Sequence, residues 1–159
     1  MSRLCTRRVP REVEDDELLI RAVTNWHLDG KKLLPNLFIN ADDDEVSVSR
    51  HSWVEKSIAK IYAKVRIQDR FLERPKYYKG LAFVTAKAVR DQTSKVLDSR
   101  SEYLGHADIV HGFKSPSPGE AMDPKIKKAL KDRAKLIAKA TRYIADTKPK
   151  SILWRAGEP

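Results

Sequence analysis

The sequence has little of what several functional classes require. Its 159 residues contain one cysteine, Cys5, which excludes an internal disulfide and a cysteine-based zinc site. Six glycines leave little material for a loop that holds phosphate through backbone N–H groups, and no nucleophile or metal-ligand motif occurs. No apolar run approaches the roughly 18 residues of a membrane-spanning helix, and no apolar segment of a secretory signal follows the basic N-terminus. We therefore expect a cytoplasmic protein without membrane contact, cofactor or bound metal.

Charge is the feature that departs furthest from an ordinary composition. Lysine and arginine number 32 against 22 aspartates and glutamates, for a formal net charge of +10. Residues 12–48 carry three basic and ten acidic groups, a net charge of −7, whereas residues 122–150 carry ten basic and three acidic groups, a net charge of +7. This distribution favours a polyanionic partner at the basic end, or the acidic segment folding back on it.

Short apolar and alternating segments predict several strands. Valines alternate with serines over 45–50, residues 80–85 form a short apolar run, and residues 106–112 alternate less strictly. Residues 18–23 suit either a strand or a short helix, because periodicity does not separate the two over so few residues.

Two longer segments have the spacing of amphipathic helices. The first covers 53–68 and begins with a Ser-x-x-Glu capping box at Ser52. The second covers 123–145, with Asp123 as its N-cap and Pro124 as its first residue. In the first helix the apolar residues lie opposite three lysines that are expected to face solvent: Lys56, Lys60 and Lys64.

Together these elements predict an α+β fold in a single domain, residues 1–159. A small mixed or antiparallel sheet packs against the two main helices, and 151–154 add an edge strand or an apolar clip. The predicted core consists of Val46, Val48, Val54, Ile58, Ile61, Leu81, Phe83, Ile109, Leu130, Ile137 and Ile144.

Two groups of basic residues are candidates for contact with nucleic acid or an acidic protein. The first is a ridge on the last predicted helix, opposite its apolar stripe: Lys128, Lys131, Lys135, Lys139 and Arg142. The second places two rings that can stack on bases between two lysines: Lys76, Tyr77, Tyr78 and Lys79. The alternative interpretations are a solvated charged surface for the ridge and, for the tyrosines, rings that cover the edge of the core.

A second class of function is a small hydrolytic or nucleotide-handling enzyme. His106 and Asp108 share one face of a predicted strand, the arrangement in which a carboxylate orients a general base. His51 and Arg50 are candidates for the remaining groups, with the arginine holding a phosphate ester and the histidines moving protons. The more common role of a residue such as His106 is a hydrogen-bonded, partly buried histidine at a strand start. A third class is a structural subunit of a larger bacterial assembly.

Three segments together resemble a loose group of small uncharacterised bacterial proteins. They are the Arg-Arg-Val-Pro start at 7–10, the Val-Ser-Val-Ser-Arg strand at 46–50 and the His-Ala-x-Ile element that begins at His106. The resemblance implies a bacterial or phage setting in the cytoplasm and no activity that can be transferred, and it does not extend to the basic helix. The sequence therefore favours a basic binding module or accessory subunit over an enzyme.

Overall fold

The predicted α+β architecture is confirmed in the residues that the computed structural model describes, which are 9–40, 44–68, 75–113 and 116–159. The Arg-Arg pair at 7–8 lies outside them. The strands are β1 (Leu18–Thr24), β2 (Leu28–Asp29), β3 (Lys32–Leu33), β4 (Glu45–Arg50), β5 (Tyr78–Thr85), β6 (Lys95–Asp98), β7 (His106–Val110) and β8 (Arg142–Ala145), and the α-helices are α1 (Lys56–Gln68), α2 (Ala86–Asp91) and α3 (Pro124–Lys139).

Six of the strands form one antiparallel sheet in the order β6-β7-β4-β1-β5-β8. β1 is a strand, which resolves the ambiguity over 18–23, and it pairs with β5 along its whole length. Its pairing with β4 covers Leu19↔Arg50 and Ile20↔Ser49 alone, so the two strands separate beyond that point. β2 and β3 form a separate two-stranded hairpin.

Helices cover both faces of the sheet. Alternate residues of a strand point to opposite faces, so Leu19 packs in a core with Ile137 of α3, whereas Ile20 packs in a second core with Ala59 of α1. Eight residues of the predicted core are buried: Val46, Val48, Val54, Leu81, Phe83, Ile109, Leu130 and Ile137.

The predicted orientation of the first helix is wrong. Ile58 and Ile61 are 41% and 36% exposed, whereas Lys60 is completely buried. The small side chains of Ala59 and Ala63 face the sheet and let α1 approach it closely. Its larger apolar residues therefore form an outward ridge.

The last helix is shorter than predicted. It starts at Asp123 and Pro124 as expected but ends at Lys139, and residues 142–145 form the edge strand β8. β8 pairs with β5, where Gly80 lies opposite Ala145. A Cβ at Gly80 would collide with the carbonyl of Ile144, so glycine permits the close approach of β8. The helical spacing of the sequence does not reveal that the edge of β5 is available to pair with residues 142–145.

The C-terminal tail is an apolar clip rather than an edge strand. The ring of Trp154 lies 6.5 Å from that of Phe83, and its backbone N–H donates to Ser57 Oγ at 2.8 Å. In the described part of the chain, no helix is long and apolar enough to cross a membrane.

Candidate nucleic-acid interface

The predicted basic and aromatic segment at 76–79 forms one wall of an open cleft. We call it the lysine cleft, and its lining is Lys64, Lys76, Tyr77, Tyr78, Lys79, Pro149 and Lys150. Its volume of about 390 Å³ lies within the range of roughly 300–1,000 Å³ that is typical of ligand sites. No carboxylate of a described residue lines it, so the four lysines make its potential strongly positive.

The two predicted tyrosines have different roles in this cleft. Tyr77 is 58% exposed, whereas Tyr78 is 8% exposed and donates its hydroxyl to Asp146 Oδ2 at 2.8 Å. Burial, and then the hydrogen bond to Asp146, raise the pKa of Tyr78. Tyr78 is therefore fixed in the wall of the cleft, and Tyr77 is the ring that a ligand can reach.

A buried ion pair holds the second wall in place. Lys60 Nζ lies 2.6 Å from Asp146 Oδ2, and both side chains are completely buried. Lys60 also donates to the carbonyls of Lys148 and Leu153, at 2.9 and 3.2 Å, so each of its three N–H groups has an acceptor. These bonds fix the chain after β8 against α1 and thereby position Lys150.

A second exposed aromatic ring lies beside the cleft. Tyr77 N–H donates to Asn25 Oδ1 at 2.7 Å, and Asn25 N–H donates back to the Tyr77 carbonyl at 3.0 Å. These bonds tie the 75–77 segment to the short 3-10 helix Asn25–His27, which carries Trp26. Lys76 Nζ lies 4.4 Å from the centroid of the Trp26 ring, a cation–π contact, and Trp26 is 37% exposed.

The predicted ridge on the last helix is exposed to solvent. Lys131, Lys135 and Lys139 project from α3 into solvent, and no carboxylate of a described residue lies within ion-pair distance of them. Lys128 pairs with Asp132 at 2.6 Å. Arg142 is exposed on β8, not on the helix. α3 itself contains no aromatic residue.

His106 and Asp108 are adjacent on β7 but are not hydrogen-bonded. His106 Nε2 lies 3.8 Å from Asp108 Oδ1, beyond hydrogen-bond distance, and it has no partner among the described residues. His106 is 1% exposed, and its Nδ1 lies 3.1 Å from the Ser99 carbonyl. The Tyr103 ring packs against the imidazole with centroids 4.9 Å apart. These contacts match the buried, hydrogen-bonded histidine that the sequence also allows.

The side chains of the other two proposed catalytic residues make separate contacts. Arg50 is completely buried, and its five N–H groups donate to the carboxylates of Glu17 and Asp98 and to the carbonyls of Pro10 and Glu12. Burial opposes the charge, but the bonds to Glu17 and Asp98 outweigh it and raise the pKa of Arg50. Arg50 therefore has no donor left for a substrate.

His51 follows Arg50 in the turn after β4. Its Nε2 lies 3.5 Å from Lys56 Nζ, and its ring packs near Phe83 at 6.2 Å. Burial, and then the charge of Lys56, lower the pKa of His51. No contact between described residues joins it to His106, so the four residues do not form one constellation.

Sequence reasoning missed two lysines of the cleft. Lys64 and Lys150 join Lys76 and Lys79 because β8 pairs with β5 and α1 crosses beside them. Without knowledge of that strand pair, the one feature of the sequence that indicates a further contribution to the cleft is the positive charge of the segment after residue 145.

Comparisons of the chain with protein-family models, with curated proteins and with solved structures find no match.

Proposed function

We propose that this protein binds single-stranded nucleic acid in the lysine cleft, with phosphates on the lysines and bases stacked on Tyr77. The observation that carries the proposal is an exposed aromatic ring among four lysines, in a cleft with no described carboxylate in its lining.

The charges in the cleft suit a phosphate backbone. Lys64, Lys79 and Lys150 have no carboxylate of a described residue within 4.0 Å, so their charge is not neutralised inside the protein. Each phosphate that such a lysine neutralises releases about 0.7 of a counterion from a single strand. Binding is therefore expected to weaken steeply as salt is added.

The aromatic rings favour nucleic acid over an acidic protein partner. Stacking of a base on an aromatic side chain contributes about 1–3 kcal/mol and does not depend on sequence. Stacking requires bases that are free of a duplex, which selects single strands. An acidic protein would use the lysines but would have no need for the exposed face of Tyr77.

The ridge on α3 is the weaker candidate for binding the nucleic acid. Its three lysines that have no carboxylate partner in the described part of the chain offer phosphate contacts alone, which position a nucleic acid without reading or stacking its bases. We assign it a supporting, sequence-independent role.

A salt series with matched charge variants tests the proposal. The cleft variant carries Lys76→Gln, Lys79→Gln and Lys150→Gln, and the ridge variant carries Lys131→Gln, Lys135→Gln and Lys139→Gln, so both lose three charges. Anisotropy of labelled single-stranded DNA is measured for each. We expect the slope of log K against log salt to fall by about two units in the cleft variant, and by less in the ridge variant.

Two further results bear on the proposal. Tyr77→Ala should weaken binding by about fivefold or more, the effect of losing one stacked base, whereas Leu97→Ala, which truncates an exposed side chain on β6 at the opposite edge of the sheet, should not. Equal losses in the cleft and ridge variants, or equal affinity for duplex and single strand, would contradict the proposal. Absence of any binding at low salt would leave an acidic protein as the partner.

A further inference from the structure

A second, smaller cleft lies on the other flank of α1, between that helix and strands β1 and β4. Its volume is about 70 Å³, far below the roughly 300–1,000 Å³ that holds a whole small-molecule ligand. There is room for one compact polar group. We call it the arginine cleft, and its polar lining is Arg21, Arg66, Ser47, Ser49, Tyr62 and Tyr103.

Arg21 lies where β1 and β4 separate. Its Nε donates to the Leu37 carbonyl at 3.0 Å, and one Nη1 N–H donates to the Ser47 carbonyl at 2.8 Å. Both acceptors are neutral. The other Nη1 N–H and both N–H groups of Nη2 have no acceptor among the described residues, and no described carboxylate lies within ion-pair distance of Arg21.

The two completely buried cations of the described chain have counter-ions. Arg50 contacts Glu17 and Asp98, and Lys60 contacts Asp146. Arg21 instead has a second guanidinium, that of Arg66, as its charged neighbour. Burial, and then the charge of Arg66, lower the pKa of Arg21 to about 10. A partly buried guanidinium that has free donors, a second guanidinium nearby and no described carboxylate in contact is suited to an anion from outside the chain.

The remaining groups supply donors for that anion. Ser49 Oγ and Tyr103 Oη are 2.6 Å apart, so one hydroxyl donates to the other and the second proton is left over. Burial raises the pKa of Tyr103, so its hydroxyl stays protonated at neutral pH. The Tyr62 ring stacks on Tyr103 with centroids 4.3 Å apart and is 40% exposed.

We propose that the arginine cleft binds a phosphate dianion, held by the free N–H groups of Arg21, by Arg66 and by the Ser49–Tyr103 hydroxyl pair. Two guanidinium groups match the two charges, and their planar N–H pairs match phosphate oxygens bidentately. Arg66 is half exposed, and its one ion-pair contact with a described residue is a long one, 3.4 Å, to the exposed Glu102, so it is able to turn toward the anion.

Titration calorimetry with inorganic phosphate at constant ionic strength tests this proposal. We expect one phosphate to bind per chain and Arg66→Gln to weaken it by about tenfold or more, because charge-assisted hydrogen bonds are lost. Arg66 is exposed, so this variant should melt like the parent protein. Arg155→Gln, which removes an exposed arginine elsewhere, is the matched control and should leave phosphate binding unchanged. Tyr103→Phe should weaken binding by a smaller factor.

Phenyl phosphate and benzoate identify the class of ligand. Equal affinity for phenyl phosphate and inorganic phosphate assigns the site to free phosphate, and tighter binding of phenyl phosphate assigns it to a phosphate ester whose organic part lies on Tyr62. The lysine-cleft variant should bind phosphate like the parent, so failure of one proposal is distinct from failure of the other. Absence of phosphate binding, equal binding of benzoate, or full binding by Arg66→Gln would overturn the proposal.

Discussion

Replacing Lys60 with methionine removes one partner of a buried ion pair. The methionine side chain fills a volume similar to that of the lysine. Lys60 and Asp146 are both completely buried and 2.6 Å apart, so Asp146 would keep a buried charge without its counter-ion. Loss of one partner from such a pair costs about 3–5 kcal/mol. For a chain of this size, a loss of 1 kcal/mol lowers Tm by about 2–4 °C, so we expect Lys60→Met to lower Tm by roughly 6–20 °C.

The pH dependence of this loss has a definite sign. Burial acts to raise the pKa of Asp146, but hydrogen bonds from Lys60, the Lys148 N–H and Tyr78 outweigh it and hold the pKa below its ordinary value of 3.8. A group whose pKa is lower in the folded chain stabilises the fold above its unfolded pKa, and this contribution disappears as the pH falls through the folded pKa. The difference between parent and Lys60→Met should therefore be full at neutral pH and shrink below about pH 4.

Thermal unfolding followed by circular dichroism measures the difference, with Lys87→Met as the matched control. Lys87 pairs with Asp91, and both side chains are more than half exposed, so this pair contributes less than about 1 kcal/mol. Equal melting temperatures for the two variants would refute the rotation of α1 described above, because Lys60 would then face solvent as its sequence spacing suggests.

Three other predictions follow from burial and charge. Arg50→Met should destabilise the fold by at least about 3–5 kcal/mol in urea denaturation, because it leaves Glu17 and Asp98 without their cation; a smaller loss would show that the two carboxylates are hydrated. Ile137→Asp should prevent stable folding, because Ile137 is fully buried, whereas Lys135→Glu should shift Tm little. Val65→Ser should change stability by about 1 kcal/mol or less because Val65 is 58% exposed, and a large loss would show that this ridge is covered.

Local signals predict those elements whose structure is decided locally. The valine–serine alternation of β4 and the Asp123–Pro124 start of α3 are confirmed without change. In both cases the residues that determine the element lie within it, so the sequence pattern is sufficient.

Elements decided by distant partners are not predictable in this way. The apolar spacing of α1 indicates that Ile58 and Ile61 face the core, but the buried carboxylate of Asp146 and the small residues Ala59 and Ala63 turn the helix the other way. Residues 142–145 continue a helical pattern in the sequence, yet they form a strand because they pair with the open edge of β5 at Gly80.

The candidate site likewise combines residues that a local sequence pattern predicts with residues that distant contacts bring in. The aromatic and basic character of 76–79 is visible in the sequence. Lys64 and Lys150 are added by the β5–β8 pair and by the Lys60–Asp146 contact, which bring three separate parts of the chain to one cleft.

The most direct test of the proposed function is an NMR titration of the labelled protein with unlabelled single-stranded DNA. If the lysine cleft is the binding site, the backbone amides that shift will cluster around 76–79 and Lys150, which line its two walls, and the amides of α3 will change little. A set of shifts centred on the exposed face of α3, or no shifts at a salt concentration low enough for basic proteins to bind DNA, would contradict the assignment of the lysine cleft as the nucleic-acid interface.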